Sequence, residues 1–178
     1  FQEIPENEFR KFKTTVREEI DQPMLEEILP LGTKLKDIWW ESRGGRIRLP
    51  EHVSDEKYRN SDIHGDPGIT FGRQIGAYPI LVGVPYAVPL ESGSDIIVTG
   101  HGMRSISGIE CGLDINSATK SQLQALPGIG DKASWKIISN RARRMNKNRG
   151  SFKSVEEAFS EAGVKMPPLA SEVFVTTY

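Results

Sequence analysis

Gly128 and Gly130 stand two apart in the run Leu126-Pro127-Gly128-Ile129-Gly130, and Lys132 follows two residues on. Residue types in this order suit the capture of an anion. Glycines carry no side chain, so the amide N–H groups of a turn built on them can be approached closely. Pro127 keeps a preceding helix from running through the turn. Beyond it, Ala133, Ile137, Ile138 and Ala142 recur as one apolar face, so a helix is expected, with Asp131 as its N-cap. The first amides of a helix have no internal partner and sit at the positive end of its dipole, where a phosphate is favoured. Lys132 would add a charge there, and Ile129 is expected to pack inward and pin the turn. Backbone donors cannot read bases, so such a contact carries little sequence information.

The charge distribution points the same way. Residues 112–150 hold eight basic residues (Lys120, Lys132, Lys136, Arg141, Arg143, Arg144, Lys147, Arg149) against Asp114 and Asp131, a surplus of six. The chain as a whole has a net charge of −1, so the remaining residues are acidic on balance. Positive charge gathered into a fifth of the chain is the footprint of a polyanion site.

Thr119 and Gln122 form a T-x-x-Q capping box, which predicts a helix from Lys120 with Leu123 and Leu126 turned into a core beside Ile115 and Ala118. A bare G-x-G would mark no more than a tight turn. Here the capping box, L-P-G-I-G, the following Lys-Ala and a downstream I-I-x-x-R all fall in register. The run resembles the helix-hairpin-helix family, as found in bacterial DNA-uptake receptors and many repair proteins. The resemblance implies nucleic-acid binding through Pro127, Gly128, Ile129, Gly130, Lys132, Lys136, Arg141, Arg143, Arg144 and Arg149. Residues 152–174 resemble a second, degenerate copy, with Ala162-Gly163-Val164-Lys165 in place of G-I-G and a short helix over residues 168–175. Lacking the second glycine, this copy is expected to complete the core rather than to hold a phosphate.

The elements upstream must position this hairpin. Residues 7–29 have helical spacing (Phe9, Phe12, Val16, Ile20, then Met24, Leu25, Ile28), ended by Pro30 and Gly32. Residues 34–41, 69–74, 78–84, 95–99 and 104–109 read as strands, with Gly and Pro in the gaps. Residues 42–67 are polar and are expected to form a long loop containing a solvated Asp62-Ile63-His64. Four or five short strands are too few for a two-sheet sandwich and suit a small barrel of the oligonucleotide/oligosaccharide-binding type. On it, Arg73, His101 and Arg104, each beside glycine or a turn, are candidate contacts. Trp39 and Trp40 point to opposite faces, one into the core and one able to stack a base, and Trp40 is carried as the candidate.

Several segments of the middle, TFGRQIGAYPILVG (residues 70–83) and VTGHGMRSISG (residues 98–108) above all, resemble the C-terminal part of archaeal radical S-adenosylmethionine proteins that end in a helix-hairpin-helix. That resemblance implies a small TRAM-like RNA-binding barrel here. It also implies an upstream catalytic domain holding a [4Fe–4S] cluster and S-adenosylmethionine, with which this region could be in contact. Cys111 is the single cysteine and cannot hold such a cluster. His52, His64 and His101 are scattered without metal-ligand spacing. No reaction chemistry, cofactor or metal is expected from these residues.

No apolar run approaches the roughly 18 residues that span a bilayer. With Phe1 first and no signal pattern, the sequence reads as part of a longer soluble protein of the reducing cytoplasm. The expected fold is α+β in three parts: an N-terminal helical segment (1–31), a small barrel (32–111) and an all-helical hairpin domain (112–178). Its expected function is sequence-independent binding of DNA or structured RNA, delivering a larger enzyme to its substrate. The first rival is a protein-docking module of such an enzyme. The second is an enzyme with a site in the barrel, which only Arg73, His101 and Arg104 could seed and which no general-base pair or nucleophile motif supports.

Overall fold

The computed structural model describes residues 22–40, 63–74, 80–103 and 105–177. The expected helix over residues 7–20, most of the polar loop, Tyr78 and Arg104 lie outside the described residues. A short helix α1 (Gln22–Ile28) buries Leu25 and leads through Pro30 into the first strand.

Five strands follow, each a short β-branched or aromatic run punctuated by Gly or Pro. They are β1 (Lys34–Trp40), β2 (Pro67–Gln74), β3 (Leu81–Tyr86), β4 (Ser92–His101) and β5 (Ser105–Glu110). They close into a barrel in the order β1-β2-β3-β5-β4, antiparallel except for the parallel pair β3–β5. In β1 a bulge between Leu35 and Ile38 puts Asp37 at φ 58°, its amide donating to Asp95 Oδ1. The extra residue resets the inward–outward alternation, so Ile38 and Trp40 both enter the core. Buried Thr70 is satisfied, its hydroxyl donating to the Tyr86 carbonyl and accepting from the Val88 amide.

The C-terminal part is helical: α2 (Lys120–Ala125), α3 (Asp131–Asn146), α4 (Val155–Ala162) and α5 (Ala170–Val173). Two short strands, β6 (Leu113–Asp114) and β7 (Phe174–Val175), pair in parallel and tie its ends together. The capping box at Thr119 and Gln122 is present in full and starts α2 at Lys120. At the next start the structure differs from expectation. Asp131 is the first helical residue of α3, and the cap is Gly130, which supplies no side-chain hydrogen bond. The Asp131 carboxylate instead turns back to Lys120, 2.5 Å away. On the inward face of α3, Ile137 is fully buried and Ala133 and Ile138 half-buried, but Ala142 is exposed, and Ser134 and Arg144 are buried in its stead.

Barrel and helices share one continuous cluster of buried side chains, running from Ile38 and Trp40 through Leu113 and Ile115 to Phe159 and Phe174. Their seam is polar as well. Thr119 Oγ1 donates to the Gly65 carbonyl, and Gly65, at φ 90°, lies so close that a Cβ there would come within 2.7 Å of the Thr119 methyl. Residues 63–66, expected as solvated loop, are therefore part of this seam. Ile63 is buried, and His64 Nε2 stands 2.6 Å from the buried Glu110 carboxylate. The reason is topological: strand β2 begins where the helical unit packs on the barrel, so its lead-in is covered.

Candidate nucleic-acid interface

The turn between α2 and α3 is held from beneath. Ile129 is buried, and its amide donates to the Leu126 carbonyl. Gly128 takes φ 97°, a conformation that L side chains rarely adopt. Gly130 is exposed, and nothing lies within 4 Å of where its Cβ would stand. The first intrahelical bond of α3 runs from the Ser134 amide to the Gly130 carbonyl, which leaves the amides of residues 131–133 without helical partners. The hairpin thus offers an open approach to a helix N-terminus that no side chain caps.

Lys132 and Lys136 are exposed just beyond, as are Arg143, Lys147 and Arg149. At 100° per residue, Lys132, Lys136, Arg143 and Lys147 fall within about 60° of one another and span about 22 Å of helix. They form a basic stripe leading away from the turn. None of the four joins a salt bridge among the described residues.

The other two arginines of the tract lie on the inner side. Arg141 is half-buried, and its guanidinium donates to the carbonyls of Ile115 and Ala118, fastening α3 to the segment before α2. Arg144 is buried at 7% exposure. It pairs with Glu157 and Glu161 of α4, donates to the carbonyls of Gly150 and Ser151, and lies over the Phe152 ring. An arginine so occupied holds the helices together and offers nothing to an outside phosphate, which corrects its place among the expected contacts.

The second copy follows the hairpin plan with a different end. Ser154 Oγ caps α4, Gly163 closes it in the left-handed conformation, and a loop leads to α5. Phe152, Phe159, Val173 and Phe174 are buried in the shared core. Its loop touches the first turn: a Cβ on Gly128 would sit 3.4 Å from the Pro167 ring.

On the barrel, Trp40 is fully buried with Nε1 donating to Ser94 Oγ, so the bulge makes it a core residue and removes it from the candidate contacts. Trp39 takes the other face and is half-buried. His101 Nε2 donates to the Leu29 carbonyl and anchors α1. Arg73 is half-buried in β2, in register between Trp39 and Leu81. Cys111 is half-buried, and burial pushes its thiol up, away from the reactive thiolate. Among the described residues no three His, Cys, Asp or Glu side chains gather as metal ligands, and no helix is long and apolar enough to cross a membrane.

One exposed residue went unmarked in the sequence. Trp135 lies on the outer face of α3, one turn beyond Lys132, with Lys120 Nζ 4.9 Å from its ring centroid. A helical wheel would have found it, as a large aromatic on the polar side.

Residues 109–158 match the helix-hairpin-helix motif. An uncharacterized protein of Archaeoglobus fulgidus is 36% identical over 121 residues, which are 68% of this chain and 18% of that protein. An uncharacterized protein of Methanocaldococcus jannaschii is 35% identical over 101 residues, 56% of this chain and 15% of that protein. The chain thus spans less than a fifth of either relative. No solved structure matches. The motif itself suggests nucleic-acid binding.

Proposed function

We propose that this region binds nucleic acid through the phosphate backbone, largely without regard to sequence. The uncapped start of α3 receives one phosphate, with the amides of residues 131–133, reached across the open turn at Gly130, and the Lys132 ammonium as donors. Lys136, Arg143 and Lys147 carry the adjoining backbone along the helix, and Arg149 flanks them. Arg141 and Arg144 position these groups by fixing α3. The observation that carries the reading is the coincidence of an open, uncapped hairpin with an exposed basic stripe on the same helix.

In this reading the region is part of a larger archaeal protein and delivers an upstream domain to DNA or structured RNA. The radical S-adenosylmethionine resemblance supplies the candidate for that domain. Its cluster and cofactor would be held upstream, since Cys111 alone cannot bind them.

The test is fluorescence anisotropy of the chain with labelled single-stranded DNA, duplex DNA and an RNA hairpin, each over a salt series. Affinity should fall as salt rises, by about 0.7–0.9 log units per decade for each phosphate contact. Gly130→Asp with Lys132→Glu should abolish binding and leave the fold intact, because the space at Gly130 is open. Unchanged affinity in the folded variant sinks the hairpin assignment. Absence of binding to any ligand at low salt favours a protein-docking role.

A further inference from the structure

Resting on that reading, we infer that Trp135 and Lys120 form a stacking platform beside the hairpin, and that the ligand is therefore single-stranded nucleic acid. Tryptophan is a costly residue to leave wet, yet Trp135 is 50% exposed while Trp40 is fully buried. The indole is held in place from within the hairpin. Lys120 Nζ sits over the ring and is fixed by Asp131 at 2.5 Å, and Gln124 Nε2 reaches the same carboxylate oxygen. The hydrogen bond from the Lys120 ammonium holds the Asp131 carboxyl below its usual range.

The position of the ring selects the ligand. Trp135 lies about 60° around α3 from Lys132 and about 7 Å along the axis from Gly130. A strand whose phosphate sits at the turn brings its neighbouring sugar and base to the indole. In a duplex the base faces are hidden in the stack, and only base edges line the grooves. A single strand presents a π-face at every base, so an aromatic surface beside a basic track binds it without reading sequence. Lys120 then serves twice, orienting the indole and adding positive charge where the backbone passes.

The experiment compares the full 178-residue chain with Trp135→Ala and Trp135→Phe, using a labelled oligothymidylate and a mixed-sequence duplex of equal length. Trp135→Ala should weaken oligothymidylate binding by about 5- to 150-fold, the usual range for one lost base–aromatic stack. Duplex binding should change less than twofold, and Trp135→Phe should recover most of the loss. Thermal melts establish that both variants fold. Equal losses on both ligands, or none on the oligothymidylate, overturn the platform and leave the hairpin grip standing. A wild-type chain that binds duplex and ignores the single strand does the same. Failure of the wild type to bind either ligand overturns the hairpin grip and the platform together.

Discussion

Arg143 and Arg144 are adjacent and chemically identical, yet one step of 100° around α3 sends them to opposite fates. Arg143 joins the exposed stripe. Arg144 enters the interior, where two glutamates, two carbonyls and a ring use its charge, its donors and its face. Substitution should separate the two roles. Arg143→Ala is expected to reduce the salt dependence of binding by close to one contact, with an unchanged melting temperature. Arg144→Ala should lower the melting temperature by leaving Glu157 and Glu161 facing each other without their counter-charge. Salt series and melts on the same preparations check both, and a reversal would exchange the roles assigned to them.

Helices α2 and α4 owe their starts to side-chain caps of unequal reach. Thr119 caps α2 and also bonds across to Gly65 of the barrel, so its hydroxyl serves two elements. Thr119→Ala should cost about 1 kcal/mol for the cap alone, with a further loss for the severed seam. Ser154 Oγ accepts from the Glu157 amide within α4, and Ser154→Ala should cost about 1 kcal/mol for that cap alone. Urea titrations of the two variants measure the difference. In the second hairpin, Phe159 on α4 is almost wholly buried, and Phe159→Ala should cost about 3–5 kcal/mol. A loss below 1 kcal/mol would show that this copy is not part of the shared core.

At the scale of the molecule, the seam between barrel and helices carries a titratable pair. Its hydrogen bond to the Glu110 carboxylate raises the His64 pKa above the ordinary 6.5, against an opposing effect of burial. The folded protein thus binds the histidine proton more tightly than the unfolded chain. The pair's contribution is complete below pH 6.5 and is lost as pH rises through the elevated folded value. Because the His64 side chain is 38% exposed, solvent screens the effect and keeps it small. Thermal melts between pH 6 and about 9 should show the wild type losing stability relative to His64→Gln as pH rises. A constant difference would remove the pair from the stability of the seam.

The residue order alone determined the hairpin: a capping box, L-P-G-I-G and an amphipathic run are local signals whose geometry follows from φ/ψ preferences and three- and four-residue spacing. The strands were legible for the same reason, in position if not in their ends, since alternation and punctuation are local too. Trp40, His101 and His64 were not, because the partner of each is distant in the chain, and Arg144 was not, because its carboxylate partners lie on the next helix, α4. Ser94 lies 54 residues from Trp40, Leu29 lies 72 from His101, and Glu110 lies 46 from His64. Composition showed a surplus of positive charge between residues 112 and 150. Only the packing of α3 against α4 and the segment before α2 decided which cations the interior consumed and which were left exposed in line along the helix.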